Sequence, residues 1–362
     1  MNLPLENITI LDLTHVLAGP YATRRLSMMG ATVIKIERPG IGDDTRAFPP
    51  FVNEESVYFS SLNSGKYSIA LDLKLQQDRT HFEKLLKRAD VLVENFRPGA
   101  MARLGYGADD LAKSYPNLIF ASVSGFGQTG PDCMEPAYDM VVQARGGVMS
   151  ITGEYGREPV RVGASVGDII AGMFLLEGIL AALLHRGTTG KAERVDVSML
   201  DSQLAILEHA VAMVSATGTA PGPTGARHPT ITPFDTFHAN DGLFVIACGN
   251  DHLFGKLCRV LELEALIDDP RFCSNVARCE NERLLKRFIE QKTLSAPRDH
   301  WIALLKDNGL PTAAIQNVAE VMQDPQILAR EMVQTIPSWT QGLTYKVAGN
   351  PVKIGSQPAS PD

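Results

Sequence analysis

Apolar and polar positions alternate in regular blocks along the first third of the chain. Residues 7–13 (Asn-Ile-Thr-Ile-Leu-Asp-Leu) are rich in β-branched and apolar side chains, which indicates a strand. Residues 21–29 follow with helical spacing and end at Gly30, and residues 31–36 predict a second strand. Because a strand, a helix and a strand in this order usually form a parallel unit, the pattern predicts a parallel sheet.

The same alternation of strand and helix patterns continues further along the chain. Strand patterns occupy Tyr67–Leu73, Asp90–Glu94 and Leu118–Ser124, and helix patterns occupy Gln77–Ala89 and residues 109–115. Repeated strand and helix units of this length are typical of doubly wound sheets. We therefore expect an α/β fold with a large Rossmann-like domain.

A long apolar segment predicts the central helix of this domain. Gly-Ala-Ser-Val-Gly at 163–167 leads into a helix over 168–186. The apolar run Ile169–Leu184 is short for a membrane span and contains Glu177, so a buried core helix is the better interpretation. No association with a membrane is expected.

The composition changes after this helix. A strand over Glu193–Val197 and a helix over Ser198–Ser215 precede residues 216–233, which are rich in Gly, Pro, Thr and Ala and indicate a linker or crossing segment. A strand over 243–247 and a more highly charged helical region over 251–308 then indicate a smaller α+β domain. This change of character gives the domain boundaries.

The predicted organisation has four parts. A large domain spans 1–200, a linker spans 201–235, a small domain spans 236–315, and a second linker with a return to the large domain spans 316–362. A chain of 362 residues is long enough for two cores of this kind.

Composition excludes several classes of protein. The net charge is −7 and positive charge forms no long block, so nucleic acid is not expected as a partner. The five cysteines are scattered and form no CxxC pair, which favours free thiols in a reducing cytoplasm. The first residues include Glu6 and Asp12 and do not resemble a signal peptide, so a cytoplasmic location is expected.

Common catalytic motifs are missing from the sequence. The first strand–helix junction (14–20) has no GxGxxG, so the Rossmann-like pattern does not imply a nicotinamide dinucleotide. The sequence contains no GxxxxGK[ST], no GxSxG and no HExxH. We therefore expect neither a nucleoside-triphosphate loop, nor a hydrolase nucleophile elbow, nor a metal site.

Gly167-Asp168 is the candidate that remains. An aspartate at the start of a helix often serves as an N-cap, because its carboxylate accepts hydrogen bonds from free backbone N–H groups. Neighbouring glycines, Gly163 and Gly172, leave room for a ligand, and a carboxylate in such a turn can act as a nucleophile towards an activated acyl group. The helix N-terminus would favour the ionised carboxylate. The residues alone permit both roles.

Several segments resemble the family III CoA-transferases (the CaiB/BaiF type), which include formyl-CoA:oxalate and carnitine CoA-transferases. The resemblance covers nearly the whole chain and is strongest over 8–205. It is carried by Leu11–Pro20 (LDLTHVLAGP), Gly30–Arg38 (GATVIKIER), Asn63–Lys74 (NSGKYSIALDLK) and Val93–Gly99 (VENFRPG). Together these motifs are specific to the family.

The resemblance implies an enzyme that moves coenzyme A between carboxylic acids. The family nucleophile falls on Asp168, which would form an aspartyl–acyl anhydride and then an aspartyl-CoA thioester. Acyl-CoA would be a substrate, and no permanently bound cofactor is implied. The family also implies an interlocked homodimer, with the linkers at about 200–235 and 310–335 crossing between subunits. The long glycine-rich loop that some members carry before the second-domain strand is not evident in this sequence, and residues 216–233 are its nearest counterpart.

The resemblance also assigns contacts to coenzyme A. Where some members have Gln, this chain has Leu17. Tyr138 and Asp139 are expected near the site. The assigned contacts are His15, Ala18, Arg38, Leu71, Lys74, Asn95, Phe96, Ala100 and Arg103.

Two alternatives compete with this interpretation. An α-methylacyl-CoA racemase shares the fold, but those enzymes carry a histidine base where this chain has Tyr138, whose ordinary pKa near 10 suits a base poorly. A non-catalytic CoA-binding protein would not need Asp168. For the acceptor acid, Arg227-His228-Pro229 and the segment after it resemble members that use dicarboxylates, so we expect oxalate, succinate or a related diacid. The candidate acceptor-binding residues are Arg145, Arg161, Arg227 and His228.

Overall fold

The structure is a computed structural model that describes residues 3–338, 342 and 344–355. The chain forms two compact units. The first comprises residues up to Ser150, Arg161–Pro221 and the residues from Asp324 onward, and the second comprises Ile151–Val160 and Gly222–Gln323. The predicted large domain did not set Ile151–Val160 apart, and its return segment was predicted to begin at 316.

The first unit is an α/β layer structure. Its helices and strands up to residue 217 are β1 (Thr9–Asp12), α1 (Ala18–Ser27), β2 (Thr32–Glu37), β3 (Phe51–Val52), β4 (Glu55–Ser56), α2 (Val57–Asn63), β5 (Tyr67–Ala70), α3 (Gln76–Leu86), β6 (Val91–Glu94), α4 (Ala100–Arg103), α5 (Ala108–Ser114), β7 (Ile119–Ser124), α6 (Asp139–Arg145), α7 (Val166–Thr189), β8 (Arg194–Ser198), α8 (Met199–Ala205) and α9 (Glu208–Thr217).

A six-stranded parallel sheet forms the centre of this unit, in the order β5-β2-β1-β6-β7-β8. In β1, Thr9 to Asp12 pair with Thr32 to Lys35 of β2, and β6 pairs with the other edge of β1. β6 and β7 are buried along their whole length because helices cover both faces of the sheet. The predicted doubly wound α/β fold is confirmed.

Helix α7 packs one face on this sheet. Ala171, Leu175 and Ile179 are fully buried in the core with residues of α1 and β7. The opposite face carries Met173 and Leu184, which are 52% and 72% exposed. By length and composition α7 could cross a membrane, and one third of its most apolar window is buried inside the protein. The prediction of a core helix therefore holds for one face only.

The single helix predicted over 198–215 is wrong. The structure has α8 and α9 there, separated at Ile206 and Leu207. Ser198 caps α8 by accepting a hydrogen bond from the Asp201 N–H, and none of the residues of α9 is buried. Residues 218–233, all described, form no helix or strand.

The second unit is an α+β structure with its own core. Its elements are β9 (Phe234–Ala239), β10 (Gly242–Ala247), α10 (Asp251–Val260), α11 (Asn275–Glu280), α12 (Glu282–Thr293), α13 (Arg298–Asp307), β11 (Thr312–Ala314) and α14 (Val318–Val321). The antiparallel sheet β11-β10-β9 packs on the helices through Phe237, Phe244 and Phe272. Arg278 is buried in this core and pairs with Asp251.

The chain then returns to the first unit through α15 (Pro325–Ala329), β12 (Val333–Pro337) and β13 (Thr344–Ala348). Ile336, Tyr345 and Val347 of this hairpin pack against Val57. Residues 356–362 of the predicted return segment lie outside the described residues.

Candidate active site

A cavity of about 870 Å³ opens in the first unit at the carboxyl ends of β1 and β6. From these two neighbouring strands the sheet continues outward in opposite directions, to β2 and β5 on one side and to β7 and β8 on the other. Ligands of doubly wound sheets bind where the strand order reverses in this way. The volume is in the range of small-molecule and cofactor sites, so this cavity is the candidate active site.

The cavity gathers residues from segments that are far apart in the sequence. Asp168 lines it, and so does Tyr138, which is 75% exposed. Asp139 is buried next to the wall. All nine residues assigned to coenzyme A line the cavity as well: His15, Ala18, Arg38, Leu71, Lys74, Asn95, Phe96, Ala100 and Arg103.

Four exposed basic side chains line the cavity. Arg38, Lys74 and Arg103 are joined there by Arg97, which the sequence analysis did not assign although it lies in a quoted motif. Arg38 forms an exposed ion pair of 2.8 Å with Asp44. Guanidinium and ammonium groups in this position suit the phosphates of a nucleotide-like ligand.

The four residues predicted to bind the acceptor acid are not among the described residues that line this cavity. Arg145 pairs with Asp132, and Arg161 donates hydrogen bonds to two carbonyls of its own loop. Arg227 and His228 belong to the second unit. A role in binding the acceptor stays a prediction for all four.

The turn after β1 has an unusual backbone conformation. Val16 has φ 66°, a left-handed value that is rare for a β-branched residue and costs free energy. Asn95 fixes the preceding residue from both sides, because its Oδ1 accepts from the His15 N–H at 2.8 Å and its Nδ2 donates to the His15 carbonyl at 2.7 Å. The N–H of Val16 donates to Asp43 Oδ1 at 3.2 Å. The surrounding structure therefore holds the strained turn against the cavity.

Two buried ion pairs lie next to this turn and support it. Lys35 pairs with Asp43 at 2.9 Å and also donates to the Thr14 carbonyl, while Lys66 pairs with Asp12 at 3.0 Å. Burial acts to raise the pKa of Asp12, but Lys66 and Lys35 outweigh it and hold that pKa well below its usual range. Sequence reasoning missed this network, although charged residues within two apolar strands are a signal for it.

His15 precedes Val16 in this turn and lies beside Phe96, with ring centroids 5.6 Å apart. Burial lowers its pKa, while the negative charge of Asp43 acts in the opposite direction. Its Nδ1 atom is buried and receives no hydrogen bond from any residue that the structure describes. His15 therefore presents a neutral ring, which suits contact with an uncharged part of a ligand.

Asp168 is the third residue of α7, and Ser165 is the N-cap. The interpretation of Asp168 as the N-cap is therefore wrong, because the helix begins at Val166. Within the described residues its half-buried carboxylate makes no hydrogen bond or ion pair. Burial and the nearby Asp139 raise its pKa to about 7, and both act against the ionised form that the helix N-terminus is expected to favour.

Asp139 is the first residue of α6 and its carboxylate is directed at the start of α7. Oδ1 accepts a hydrogen bond from the Gly167 N–H at 2.8 Å, and Oδ2 accepts one from Gln143 Nε2 at 2.8 Å. Gly167 allows this approach, because a Cβ there would lie 2.9 Å from Asp139 Oδ1 and 2.6 Å from Val142 Cγ2. Two carboxylates with different surroundings therefore meet at this helix terminus.

Across residues 3–338, 342 and 344–355, no group of three or more His, Cys, Asp or Glu side chains is placed to hold a metal ion. All five cysteines lie in the described part and have free thiols. The cavity is lined by the Asp168 carboxylate, the His15 ring and basic side chains.

Comparison with known proteins gives a family match over nearly the whole chain. The profile of CoA-transferase family III matches residues 5–362. Acetyl-CoA:oxalate CoA-transferase from Acetobacter aceti is 47% identical over 352 residues, which are 97% of this chain and 89% of that protein. Succinyl-CoA:glutarate CoA-transferase from Mus musculus is 38% identical over 340 residues, or 94% of this chain and 78% of that protein.

A solved structure supports the fold. The crystal structure of a CAIB/BAIF family protein from Brucella suis superposes with a TM-score of 0.86 and 36% sequence identity, covering 99% of this chain and 94% of that one. The fold with its parallel-sheet core is thus shared with a solved CAIB/BAIF family protein.

Proposed function

The chain belongs to CoA-transferase family III, and on that premise we propose that it transfers coenzyme A from an acyl-CoA to a small dicarboxylic acid through Asp168. The resemblance drawn from the sequence motifs is confirmed, and the chain is a CoA-transferase. One observation supports the finer proposal most. The unpaired Asp168 carboxylate shares one cavity with every residue assigned to coenzyme A.

The proposed reaction begins when an Asp168 oxygen attacks the thioester carbonyl of the donor. The carbon–sulfur bond breaks, coenzyme A leaves as a thiolate, and a mixed aspartyl–acyl anhydride remains. The thiolate then attacks the aspartyl carbonyl, which releases the donor acid as a carboxylate and leaves an aspartyl-CoA thioester. Each step exchanges one acyl bond for another and requires no net proton transfer.

The acceptor reverses these steps. Its carboxylate attacks the aspartyl-CoA thioester, coenzyme A leaves again as a thiolate, and a second anhydride forms. Attack of the thiolate on the acceptor's carbonyl gives the new acyl-CoA and restores the Asp168 carboxylate. An unpaired carboxylate suits this role, since it loses no hydrogen bond when it attacks, and a pKa raised to about 7 makes it a stronger nucleophile than an ordinary aspartate.

A dicarboxylic acceptor is supported by relatives named for oxalate and glutarate. Oxalate, succinate or a related diacid would present two carboxylates. One would react, and a basic side chain would bind the other. The candidates for binding the second carboxylate are the residues predicted from the sequence, Arg145, Arg161, Arg227 and His228. A cytoplasmic location accords with the free thiols of this chain.

Covalent trapping tests the proposed function. The protein is incubated with acetyl-, formyl- or succinyl-CoA and then treated with hydroxylamine or borohydride, and Asp168 is examined by mass spectrometry. We expect a modified Asp168 in the wild type, none in Asp168→Asn, and wild-type labelling in Asp109→Asn, which changes an exposed aspartate in the first turn of α5. If Asp168→Asn is active and the wild type forms no adduct, the proposal is wrong.

A panel of acceptors then identifies the acid. We expect activity with oxalate, succinate or glutarate, whereas activity confined to monocarboxylates or carnitine would contradict a dicarboxylic acceptor. Deuterium entering the α-carbon of a branched acyl-CoA without any acceptor would instead indicate the racemase. Tyr138, which occupies the position of the racemase base, makes that result unexpected.

We further propose that two copies form an interlocked homodimer. The outer faces of α7, α8 and α9 are apolar and exposed, with Leu184, Leu204 and Val211 at 72%, 57% and 45% exposure. Exposed apolar side chains on neighbouring helices are typical of an interface between subunits. Light scattering should give twice the mass of the chain, and a monomer at micromolar concentration would contradict the proposal.

A further inference from the structure

We propose that Asp139 is a positioning residue for the nucleophile, because it caps helix α7 from the neighbouring helix α6 and so leaves the Asp168 carboxylate free to attack. The inference rests on the proposed role of Asp168. It assigns to Asp139 a task that is separate from contact with either substrate, since Asp139 lies behind the cavity wall.

The start of α7 creates the need for such a cap. The first N–H groups of a helix have no partner within the helix, and a nearby side chain usually accepts one of them. Ser165 occupies the N-cap position but makes no side-chain cap bond. Asp168 is the acidic residue in the first turn of the helix, where an acidic side chain can fold back and accept from the backbone.

Asp139 satisfies the helix terminus instead. Its Oδ1 accepts the Gly167 N–H at 2.8 Å, directly before the nucleophile. The Asp168 carboxylate itself makes no hydrogen bond within the described residues. The helix thus fixes the backbone of Asp168 while its side chain remains directed into the cavity.

Gln143 holds Asp139 in this orientation. Gln143 Nε2 donates to Asp139 Oδ2 at 2.8 Å, and Gln143 Oε1 accepts the Val162 N–H at 2.9 Å. Gln143 is fully buried, so both of its amide atoms are committed to these bonds. Asp139 is therefore clamped by partners on two sides and cannot readily turn towards a substrate.

The charges around Asp168 agree with a nucleophilic role for Asp168 and a positioning role for Asp139. Asp139 of α6 acts with burial to raise the pKa of Asp168, and Tyr58 of α2 has a pKa raised by burial and then by Asp168. Helix α1 brings Tyr21 beside Gly172, one turn further along α7, and the acidic residue of α8, Asp201, is exposed. No basic group acts on the pKa of Asp168 within the described chain.

Two substitutions separate the hydrogen bond of Asp139 from its charge. Asp139→Asn keeps an oxygen that can accept from the Gly167 N–H but removes the negative charge and the acceptor for Gln143 Nε2. Asp139→Ala removes the charge and both hydrogen bonds. We expect Asp139→Asn to lose less than tenfold in kcat and to shift the acidic limb of its pH profile to lower pH. We expect Asp139→Ala to lose ~100-fold in kcat with KM for the donor within about threefold, because the nucleophile is no longer held in place.

Hydrogen exchange gives a readout that does not depend on activity. The Gly167 amide should exchange slowly in the wild type and in Asp139→Asn, and at least tenfold faster in Asp139→Ala. Asp109→Asn is the matched control, because it also neutralises an aspartate in the first turn of a helix, and it should leave the kinetics, the pH profile and the Gly167 exchange unchanged. Circular dichroism checks that each variant is folded.

The outcomes separate this inference from the proposed function. If Asp168→Asn is inactive while both Asp139 variants keep wild-type kcat and pH profile, the inference is wrong and the function stands. If both Asp139 variants lose the same activity and the acidic limb does not move, Asp139 is merely structural and the inference is again wrong. If Asp168→Asn keeps its activity, the proposed role of Asp168 is wrong, and the inference on Asp139 that rests on it fails as well.

Discussion

Lys35 Nζ lies 2.9 Å from Asp43 Oδ2, and neither side chain is more than 1% exposed. This pair stands behind the turn that carries His15 into the cavity. Lys35 donates to the Thr14 carbonyl, and Asp43 accepts the N–H of Val16, whose backbone is strained. The buried charges therefore act on the shape of the cavity wall as well as on the stability of the first unit.

Removing one partner of this pair should be costly. Lys35→Met leaves Asp43 buried without its cation, and we expect the free energy of unfolding to fall by ~3–5 kcal/mol. The KM for acyl-CoA should also rise, because the turn loses its support. Urea unfolding followed by circular dichroism measures the first effect, and initial rates measure the second.

The double variant Lys35→Met with Asp43→Asn provides the critical comparison. It removes both charges and keeps an acceptor for the Val16 N–H, so it should recover much of the stability lost in the single variant. Lys292→Met, which breaks an exposed pair with Glu262, should cost no more than ~1 kcal/mol. A double variant as unstable as Lys35→Met alone would contradict this account.

Two glycines of α7 should respond in opposite directions to the same substitution. A Cβ at Gly172 would lie 2.5 Å from the Ala18 carbonyl oxygen, a backbone atom of the cavity wall. Gly172→Ala should therefore push α1 away, lower the unfolding free energy by ~1–3 kcal/mol and raise the KM for acyl-CoA.

Gly187→Ala is the matched control on the same helix. No described atom lies within 4 Å of the Cβ that it would add, so the variant should gain ~0.5–1 kcal/mol from helix propensity and keep wild-type kinetics. Equal effects at the two positions would show that close packing between α1 and α7 is unimportant.

Local patterns predicted the elements of the first unit well because each strand is a short apolar run between turn signals. The prediction errors occur where tertiary contacts determine the backbone conformation. The strand predicted over Tyr67–Leu73 ends at Ala70, because Leu71 leaves the sheet to line the cavity. Strand β9 was missed, since Asp235 and His238 interrupt its apolar pattern and only pairing with β10 makes it a strand.

The site could be predicted only in part. The quoted family motifs carry seven of the nine assigned contacts, whereas Ala100, Arg103 and Asp168 lie outside these motifs. All nine contacts and Asp168 do share one cavity. The bond between Asp139 and the Gly167 N–H joins residues 28 positions apart, and no local signal announces it. The left-handed conformation of Val16 is equally invisible, because a valine in sequence predicts an extended backbone.

The basic residues around the cavity should act on the binding of the acyl-CoA and not on the chemical step. Lys74→Ala or Arg103→Ala should each raise the KM for acyl-CoA about fivefold, which corresponds to ~1 kcal/mol for an exposed charged contact, with little change in kcat. Arg88→Ala, an exposed change in the same unit that does not line the cavity, should have wild-type kinetics.

Ionic strength provides a second test of the same contacts. The wild-type KM for acyl-CoA should rise with added salt, and the two cavity variants should show a weaker dependence, because salt screens exposed charges. A salt dependence that is unchanged in both variants would indicate that these side chains do not meet the phosphates.

The raised pKa of Asp168 also has a consequence for stability. An ordinary aspartate has a pKa of 3.8, and burial with Asp139 raises that of Asp168 to about 7 in the folded protein. The unfolded chain therefore releases the proton more easily, and ionisation of Asp168 destabilises the fold. This destabilisation is absent below pH 3.8, grows as the pH rises, and is complete above about pH 7.

Asp168→Asn should therefore be more stable than the wild type by an amount that depends on pH. At pH 8 we expect a gain on the order of 2–4 kcal/mol, and the gain should shrink steadily as the pH falls towards 4, because the wild-type carboxylate is then protonated as well. Thermal unfolding of both proteins between pH 4 and 8 measures the difference, and Asp109→Asn should show no such trend. A gain in stability that is constant across this pH range would mean that Asp168 has an ordinary pKa. An inactive Asp168→Asn would then have lost its nucleophile without relieving an unfavourable buried charge.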